Sequence, residues 1–427
     1  MDFEAIETAA RRRALAVAAR AVERRLNADT SDHAGPSQPC PRCRGEARYA
    51  GRHEKSFQTA LGEMRLVRAY YHCAACGAGC YPRDHALGLK QTALSPAVTR
   101  MLGLTAALVS FAETSELLRE LAGVPVDAKQ VERTAETLGR EIARDEREVV
   151  DPAAAEEIAP TMYLGVDGTG IPIRKEELEG RQGKQPDGSA KTREVKLVTV
   201  WSAEARDKDG WPVRDQGSIT YSAGIESAAQ KDVDKVPSEF ASRVWREAQR
   251  RGFDRAARQV ILGDGAPWIW NLASEYFPGA IQIVDRFHAK EKLYTIAKDI
   301  YGPQSDLWKP WAKQLCDELD KGNIDAILQA LNPHAAASEE ARKGVGYFTN
   351  NQERMNYPQF EADGLCTSSN VVEAGCKTAI GARLKRGGMH WTVAGADAII
   401  ALRCCKLSGR FDDFWERRAA ASTSLCG

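Results

Sequence analysis

The chain has 427 residues, 43% of them hydrophobic, which is enough to bury substantial cores and predicts roughly two to four domains. Lys plus Arg and Asp plus Glu number 59 each, so the formal net charge is zero. That balance excludes a uniformly basic surface, and any surface for a nucleic acid must be local.

The N-terminal segment has a helical pattern. Residues 1–25 are rich in Ala, Arg and Glu and lack the apolar centre of a secretory signal. The longest apolar run, Met101 to Ala112, is shorter than the roughly 20 residues that span a bilayer. We therefore expect a cytosolic (cytoplasmic) protein without a membrane partner, with a first helix in residues 1–30 and a linker at Asn27 to Gln38.

Two closely spaced cysteine pairs follow. Cys40-x-x-Cys43 and Cys73-x-x-Cys76 have the spacing of a tetrahedral Zn²⁺ site made of four thiolates. A closed site of this kind stabilises a domain too small to hold its own core and leaves no coordination position for catalysis. The odd total of 11 cysteines argues against a disulfide framework. We therefore predict a structural zinc ion.

The segment around these cysteines, residues 37–85, has the features of a small zinc ribbon. Short β-prone runs at Met64 to Val67 and Ala69 to His72 lie between the two pairs and predict a hairpin. Cys80 and His72 lie close enough in sequence to replace one of the four ligands.

Residues 90–150 have helical patterns. Phe111 to Leu121 predicts one helix, Ala122 to Pro125 a turn, and Asp127 to Ile142 a second helix with Asp127 as its N-cap. This spacing is typical of a DNA-binding helix-turn-helix, and equally of a helical hairpin that serves packing alone.

Beyond a linker at Asp151 to Pro160, the pattern changes to strands. The β-prone runs are Met162–Val166, Val195–Trp201, Ile219–Tyr221, Val260–Leu262 and Ile281–Val284. Helices are predicted at about Ser227 to Arg251 and after Pro267, so we expect an α/β sheet domain. A polar loop at Arg174 to Lys191 interrupts it, and His288 to about Tyr347 is largely helical.

Three acidic residues are distinguished by their surroundings. Asp167 in Val-Asp-Gly-Thr-Gly and Asp264 in Gly-Asp-Gly each follow an apolar run and precede glycine, while Glu373 in Val-Val-Glu-Ala lies in a helical pattern. Two strand-end aspartates and a helical glutamate can converge on divalent metal ions that promote phosphodiester chemistry. Taken singly, an Asp-Gly step after a strand is more typical of a turn.

Aromatic and imidazole side chains follow the second aspartate. Trp268 and Trp270 can stack on exposed bases, although we expect one of the two in a helix core. Asp285 and His288 lie one helical turn apart directly after a strand. Such a pair can orient a phosphate or a neighbouring carboxylate, and a histidine in this position is also common as a hydrogen-bonded structural group.

A basic stretch follows the glutamate, with no acidic residue from Ala374 to Ala396. Such a stretch fits a phosphate-bearing substrate, and its alternative is a solvated helix face that ends at Gly387-Gly388. The predicted DNA contacts are Trp268, Lys377, Arg383, Lys385, Arg386 and Trp391.

Together these motifs resemble bacterial insertion-sequence transposases of the DDE class, in particular the ISKra group. The resemblance covers nearly the whole chain. It rests on the cysteine pairs, the three acidic motifs, Asp285-Arg286-Phe287-His288, Gly180–Gln185, Lys191–Lys196, Gly263–Asn271, Tyr347–Asn351, Arg354–Tyr357 and Val372–Lys377. Two departures are Thr367-Ser368-Ser369-Asn370 in place of a glycine-rich turn and His390 in place of an arginine before tryptophan.

The resemblance implies a multidomain α+β protein. A zinc ribbon and a helical, helix-turn-helix-like DNA-binding region would precede a ribonuclease-H-like α/β catalytic domain. The catalytic core would occupy residues 160–287 and be completed, with C-terminal helices, by residues 363–427. A helical insertion at residues 288–362 would divide it.

The resemblance also implies the chemistry and the partners. Asp167, Asp264 and Glu373 would hold two Mg²⁺ (or Mn²⁺) ions, and Asp285 and His288 would support the catalytic site. The enzyme would bind the terminal inverted repeats of its element in double-stranded DNA, cut the strands and join them to target DNA, as a homodimer or larger assembly at the nucleoid. The alternatives are a non-catalytic DNA-binding repressor or domesticated transposase, and a structure-selective metal-dependent nuclease.

Overall fold

The computed structural model describes residues 2–89, 92–152, 154, 157–183, 185, 188–226, 238–368 and 370–424. The chain has mixed α and β structure in two compact units. Unit 1 consists of Met1–Ile142 and Arg410–Gly427, and unit 2 of Ala143–Gly409. The residues from Arg410 onward therefore group with the N-terminal region, whereas the sequence predicts that residues 363–427 complete the catalytic core with C-terminal helices.

Unit 1 begins with a long helix and a small antiparallel sheet in the order β1-β2-β3-β4. These elements are α1 (Phe3–Ala28), β1 (Ser37–Pro39), β2 (Glu46–Thr59), β3 (Gly62–His72) and β4 (Gly79–Cys80). The side chain of Asp2 caps α1 by accepting the N–H of Ala5 at 2.8 Å. The two β-prone runs after Gly62 form one strand, which pairs with β2 along its length, and Arg68 between them is buried and pairs with Asp84 at 2.5 Å.

Helices follow the small sheet, and the last of them continues beyond Ile142, where this part of unit 1 ends. They are α2 (Pro82–Ala86), α3 (Pro96–Ala106), α4 (Phe111–Leu117) and α5 (Ala128–Glu148). A π-helical turn extends α4 to Gly123, whose φ of +69° ends it. Asp127 caps α5 as predicted, since its Oδ1 accepts the N–H groups of Lys129 and Gln130 at 2.9 Å. The two predicted helices are therefore present, and α5 continues beyond Ile142.

Unit 2 is built on a five-stranded mixed sheet. It also contains a separate two-stranded sheet, formed by the third and fourth strands of the unit in chain order. The strands are β5 (Thr161–Pro172), β6 (Thr192–Ser202), β7 (Ala205–Arg206), β8 (Pro212–Val213), β9 (Thr220–Gly224), β10 (Arg258–Gly263) and β11 (Ile281–Val284). The order is β11-β10-β5-β6-β9. β10 runs parallel to β5 and to β11, whereas β6 is antiparallel to β5 and β9.

Further helices follow β9 in chain order, and all of them except the last belong to unit 2. They are α6 (Glu239–Arg251), α7 (Pro267–Tyr276), α8 (Arg286–Tyr301), α9 (Trp308–Asp320), α10 (Ile324–Leu331), α11 (Glu339–Asn351), α12 (Tyr357–Ala362), α13 (Asn370–Gly375), α14 (Ala382–Leu384), α15 (Val393–Leu407) and α16 (Phe411–Ser424). A π-helical segment, Cys376–Gly381, joins α13 to α14. α16 belongs to unit 1, where its residue Phe411 packs against Gly103 of α3. A Cβ atom added to Gly103 would lie 3.1 Å from the Phe411 ring. The predicted helix start at Ser227 and the motif residues Lys184 and Ser369 lie outside the described residues.

One hydrophobic cluster extends through unit 2. It joins β5 and β10, for example at Leu164 and Ile261, to Leu293 and Phe348 of the segment predicted as a helical insertion. Val372 of α13 belongs to the same cluster. The helices after β11 therefore share a core with the sheet. No helix in the described ranges has both the length and the apolar character needed to cross a membrane.

Candidate functional site

Three aspartates lie near the ends of neighbouring strands: Asp167 inside β5, Asp264 directly after β10 and Asp285 directly after β11. In the pairing of β10 with β5, the residue numbers of the two partners differ by 97, as for Arg258 and Thr161. The numbers of Asp264 and Asp167 differ by the same amount, so continuing the pairing brings these two residues to the same level. The β10–β11 pairing ends at Gly263 and Val284, and the next residues are Asp264 and Asp285. Residues at one level of adjacent strands direct their side chains to one face. The register therefore groups the three aspartates near the carboxyl end of β10.

Asp167 lies inside β5, so its Asp-Gly step is part of a strand and not a turn. Its Oδ1 accepts the N–H of Gly168 at 2.6 Å. A Cβ at Gly168 would lie 2.6 Å from Oε1 of Glu194, so the glycine permits close pairing with β6. Burial raises the pKa of Asp167, and the negative charge of Asp264 raises it further. The two carboxylates therefore repel each other.

Asp264 begins a tight turn at the end of β10. Its Oδ1 accepts the N–H of Ala266 at 2.9 Å, and Gly265 has a φ of +96° that favours glycine. The hydroxyl of Tyr347, on α11, donates to the main-chain oxygen of Asp264 at 2.9 Å. Asp264 is exposed. It is thus a turn residue, as an isolated Asp-Gly step predicts, and it also presents a carboxylate beside Asp167.

Helix α13 packs closely on the sheet through small residues. A Cβ at Gly165 of β5 would collide with the side chain of Val372, and one at Gly375 would lie 3.1 Å from two side chains of β6. Gly165 and Asp167 direct their substituents to the same face of β5, because they are two residues apart. The helix that carries Glu373 therefore covers the face of the sheet that carries the Asp167 carboxylate.

Glu373 borders the aspartates and is held by a lysine. The buried thiol of Cys376 hydrogen-bonds Asp167. Burial raises the pKa of Cys376, and the charges of Asp167 and Glu373 raise it further. The Oε1 atom of Glu373 lies 2.7 Å from Nζ of Lys377, one helical turn later. The third predicted carboxylate is thus at the edge of the site and paired with a cation.

Asp285 and His288 form a pair at the start of α8. Asp285 is buried, and its Oδ1 accepts the backbone N–H of His288 at 3.0 Å and lies 3.3 Å from Nδ1 of the same residue. The hydrogen bond to Asp285, with the charges of Asp285, Asp167 and Asp264, raises the pKa of His288 to about 9. His288 is therefore a cation at neutral pH. Asp285 has a structural role as the helix cap, and His288 faces the candidate ligands.

The acidic trio is only partly assembled. Among the residues that the structure describes, the four cysteines of unit 1 are the one group of three or more possible metal ligands held close together. Asp167 and Asp264 lie with His288, whereas the Glu373 carboxylate is directed to Lys377. A ligand set shared by Asp167, Asp264 and Glu373 therefore stays a prediction.

The four predicted zinc ligands form one cluster in unit 1. The Sγ atoms of Cys40 and Cys76 lie 3.7 Å apart, those of Cys43 and Cys73 lie 3.6 Å apart, and all four lie within 4.8 Å of one another. A tetrahedron with Zn–S bonds of about 2.3 Å has edges of about 3.8 Å. The cluster can therefore hold a metal such as zinc.

Two similar turns build the cluster. The N–H of Arg44 donates to the carbonyl oxygen of Cys40 at 2.9 Å, and the second pair closes with an equivalent 2.9 Å bond to the carbonyl oxygen of Cys73. Backbone N–H groups of Cys43 and Arg42 lower the pKa of Cys40 to about 6. This favours the thiolate of Cys40, the form that binds metal, whereas burial and the neighbouring cysteines raise the pKa of Cys76 to about 12.

The alternative zinc ligands lie outside this cluster. Cys80 is buried, and its Sγ accepts a hydrogen bond from Nε2 of Gln38 at 3.0 Å. His72 is exposed at the end of β3. The two Cys-x-x-Cys pairs are therefore sufficient for the site.

The basic stretch after Glu373 divides into exposed and buried residues. The exposed cations are Lys377, Lys385 and Arg386. Arg383 is fully buried, with its guanidinium 5.3 Å from the centre of the Trp391 ring. Trp391 is also buried, and its Nε1 donates to the carbonyl oxygen of Leu384 at 3.0 Å. The DNA contacts predicted for Arg383 and Trp391 are corrected to packing, because a buried side chain presents no surface to a duplex.

The two tryptophans of α7 both contribute to the core. Trp268 is half-buried, with its ring at 5.7 Å from that of Phe240 in an edge-to-face contact. Trp270 is buried, and the guanidinium of Arg354 lies 4.9 Å from its ring centre. The sequence predicted a core position for one of them. Trp268 keeps a partly exposed surface, so its predicted contact with DNA stays a prediction.

Comparison with known proteins identifies the family. The family described as UPF0236, an uncharacterised protein family, matches residues 43–417. The chain belongs to UPF0236. No curated protein matches it. A solved structure, the Drosophila P element transposase strand transfer complex, is similar over 79% of this chain and 84% of that chain, at 10% sequence identity. The TM-score is 0.27, which is too low to carry an argument.

A cavity beside the aspartates of this UPF0236 member was not predicted. Its volume is about 460 Å³, and its lining includes Asp264, His288, Glu291, Lys292 and Tyr347. Glu291 and Lys292 lie three and four residues after His288 on α8, so helical spacing was the available signal. Tyr347 gave no local signal, because it reaches Asp264 from 83 residues away in sequence.

Proposed function

We propose that this UPF0236 member is a DDE-type DNA transposase with Asp167, Asp264 and Glu373 as its catalytic carboxylates. The strand register is the observation that carries the proposal: continued two residues beyond its last pair, Leu262 with Gly165, it brings Asp264 level with Asp167 of the adjacent parallel strand. The packing of α13 on the same face of β5 supports Glu373 as the third carboxylate.

The sheet order supports a ribonuclease-H-like catalytic domain. The first strand of the sheet, β5, is central, and β6 alone runs antiparallel to the other four strands. A ribonuclease-H-like sheet has this strand order and this single antiparallel strand. The helices between β11 and α13 would then be an insertion at residues 288–362 that divides the catalytic core.

The site chemistry fits Mg²⁺ or Mn²⁺. Carboxylate oxygens are the ligands that these hard cations prefer, and burial beside Asp264 leaves Asp167 with a raised pKa. A divalent cation would relieve that repulsion. Asp167 and Asp264 would hold it, with Glu373 after its release from Lys377. When bound, the ions supply activation of the attacking oxygen and stabilisation of the leaving oxygen in phosphodiester substitution.

Cations of the chain would position the DNA phosphates. His288, protonated at neutral pH, would contact a phosphate oxygen beside Asp167 and Asp264. Lys385 is exposed and hydrogen-bonds the hydroxyl of Thr169, two residues after Asp167 on β5. Lys385 and its neighbours in the basic stretch would hold the backbone next to the carboxylates.

The remaining parts of the proposal come from the resemblance to the ISKra group. The zinc ribbon at residues 37–85 and the helices at residues 90–150 would bind terminal inverted repeats. The four-cysteine cluster supports a metal-held module in this region. Two DNA ends must be processed together, so a homodimer or larger assembly on DNA is proposed.

The test is Mg²⁺-dependent cleavage and joining of a duplex that carries the inverted repeat flanking the gene. Asp167→Ala, Asp264→Ala and Glu373→Ala should each abolish cleavage, because each removes a ligand of the ions, and should leave repeat binding in a gel shift nearly unchanged. Asp325→Asn, an exposed acid in the first turn of α10, is the matched control and should keep full activity.

Three outcomes would contradict the proposal. Cleavage that survives in Asp264→Ala would refute the assignment of the carboxylates. Repeat binding without cleavage by the unaltered protein would indicate a DNA-binding repressor or a domesticated transposase. Cleavage without strand joining would indicate a structure-selective nuclease.

A further inference from the structure

One motif of the sequence, Tyr347–Asn351, has no part in the chemistry proposed above, yet it contacts the loop that carries Asp264. Tyr347 lies on α11, and its hydroxyl donates to the main-chain oxygen of Asp264 at 2.9 Å. Asn351 is buried one turn later, and its Nδ2 donates to the carbonyl oxygens of Tyr347 at 2.9 Å and of Gly265 at 3.5 Å. Two side chains of one helix therefore hold this loop.

The contact between Tyr347 and the loop depends on a glycine. Gly265 has a φ of +96°, which side chains other than glycine rarely adopt. A Cβ at this position would collide with Cε2 of Tyr347. The ring therefore occupies the space that a side chain at residue 265 would need, and the loop and the ring fix each other.

Tyr347 contacts the end of β10 through the main-chain oxygen of Asp264. A second tyrosine, Tyr357, donates its hydroxyl to the carbonyl oxygen of Val284 at 3.1 Å. The segment between β11 and α13 therefore binds the ends of both β10 and β11.

We infer that Tyr347 is a positioning residue, whose hydrogen bond to the main chain of Asp264 directs that carboxylate toward a bound metal ion. This inference rests on the proposed function. Asp264 is exposed, and apart from Tyr347 it is held by its own turn to Ala266. Without the tyrosine hydroxyl, Asn351 still contacts Gly265, but metal binding must also order the backbone of Asp264, and that ordering weakens affinity.

Titration of the full-length, zinc-loaded protein with Mn²⁺, followed by paramagnetic resonance of the free ion, tests the inference without DNA. Tyr347→Phe removes one hydroxyl and should raise the half-saturating Mn²⁺ concentration roughly threefold to tenfold, the range for loss of one hydrogen bond. Gly265→Ala displaces the ring and should weaken binding at least as much. Tyr301→Phe is the matched control, since its ring contacts Trp311 at 5.5 Å, and should bind Mn²⁺ normally.

Asp264→Ala separates this inference from the proposed function. If Asp264→Ala binds Mn²⁺ as the unaltered protein does, the proposed function fails. If Asp264→Ala loses Mn²⁺ binding while Tyr347→Phe and Gly265→Ala keep the original affinity, the inference about Tyr347 alone is overturned. Circular dichroism at the titration temperature verifies that each variant is folded. If Tyr347→Phe is unfolded, the Mn²⁺ affinity of Gly265→Ala decides the test.

Discussion

Gly165 of β5 and Val372 of α13 are in such close contact that a methyl group on the glycine would collide with the valine side chain. Gly165 lies two residues before Asp167, and Val372 directly precedes Glu373. This contact therefore sets the approach of the helix that carries the third carboxylate to the strand that carries the first.

Gly165→Ala should push α13 away from the sheet. Overpacking a tight core contact costs about 1–3 kcal/mol, so the free energy of unfolding measured in urea should fall by that amount. Metal-dependent cleavage should fall as well, because Glu373 moves with the helix. Gly346→Ala is the control, since nothing lies within 4 Å of its Cβ position on α11, and it should be neutral or stabilising. Equal losses in the two variants would contradict the prediction.

The stability of the protein without added Mg²⁺ should depend on pH through His288. Its pKa is raised from 6.5 to about 9 in the folded state, beside Asp285, Asp167 and Asp264. A raised pKa gives stabilisation that is complete below pH 6.5 and is lost as the pH rises through about 9. We expect a loss of roughly 1–3 kcal/mol over that range in urea unfolding. An unchanged slope in His288→Asn would rule out this residue as its source.

Loss of zinc should unfold the ribbon in unit 1. A structural zinc ion supplies much of the folding free energy of a small domain, so Cys43→Ser should abolish bound zinc and lower the melting temperature. Cys80→Ser should keep its zinc, because Cys80 lies outside the cluster. Metal content by atomic absorption and thermal unfolding by circular dichroism measure both effects. Zinc retained at full content in Cys43→Ser would exclude the proposed ligand set.

Exposed and buried cations of the basic stretch should act differently. The double variant Lys385→Ala and Arg386→Ala should weaken DNA binding at every sequence and reduce the slope of log affinity against log salt by up to about 2. Arg383→Met should leave that slope unchanged and lower stability, because Arg383 is buried against Trp391. Fluorescence anisotropy at several salt concentrations distinguishes them. A reduced slope in Arg383→Met alone would contradict the assignment.

The sequence by itself determined the features that depend on residues close together in the chain. The spacing of the cysteine pairs predicted a cluster that the structure contains, and Asp127 was recognised as a helix cap from its position before α5. The five strands of the sheet in unit 2 were each predicted from short apolar runs. These signals are local because turn geometry, capping and strand burial involve only a few neighbouring residues.

Only the tertiary structure decided which residues share a site. Arg383 and Trp391 resemble a DNA-binding surface in sequence, but their burial depends on packing with distant elements. Tyr347 lies 83 residues from Asp264, and no local pattern indicates their hydrogen bond. Asp264 comes to the same level as Asp167 through the register of β10 and β5, and that register is fixed by the packing of the whole sheet. Local sequence fixes the elements, whereas contacts between residues distant in the chain arise only when those elements pack together.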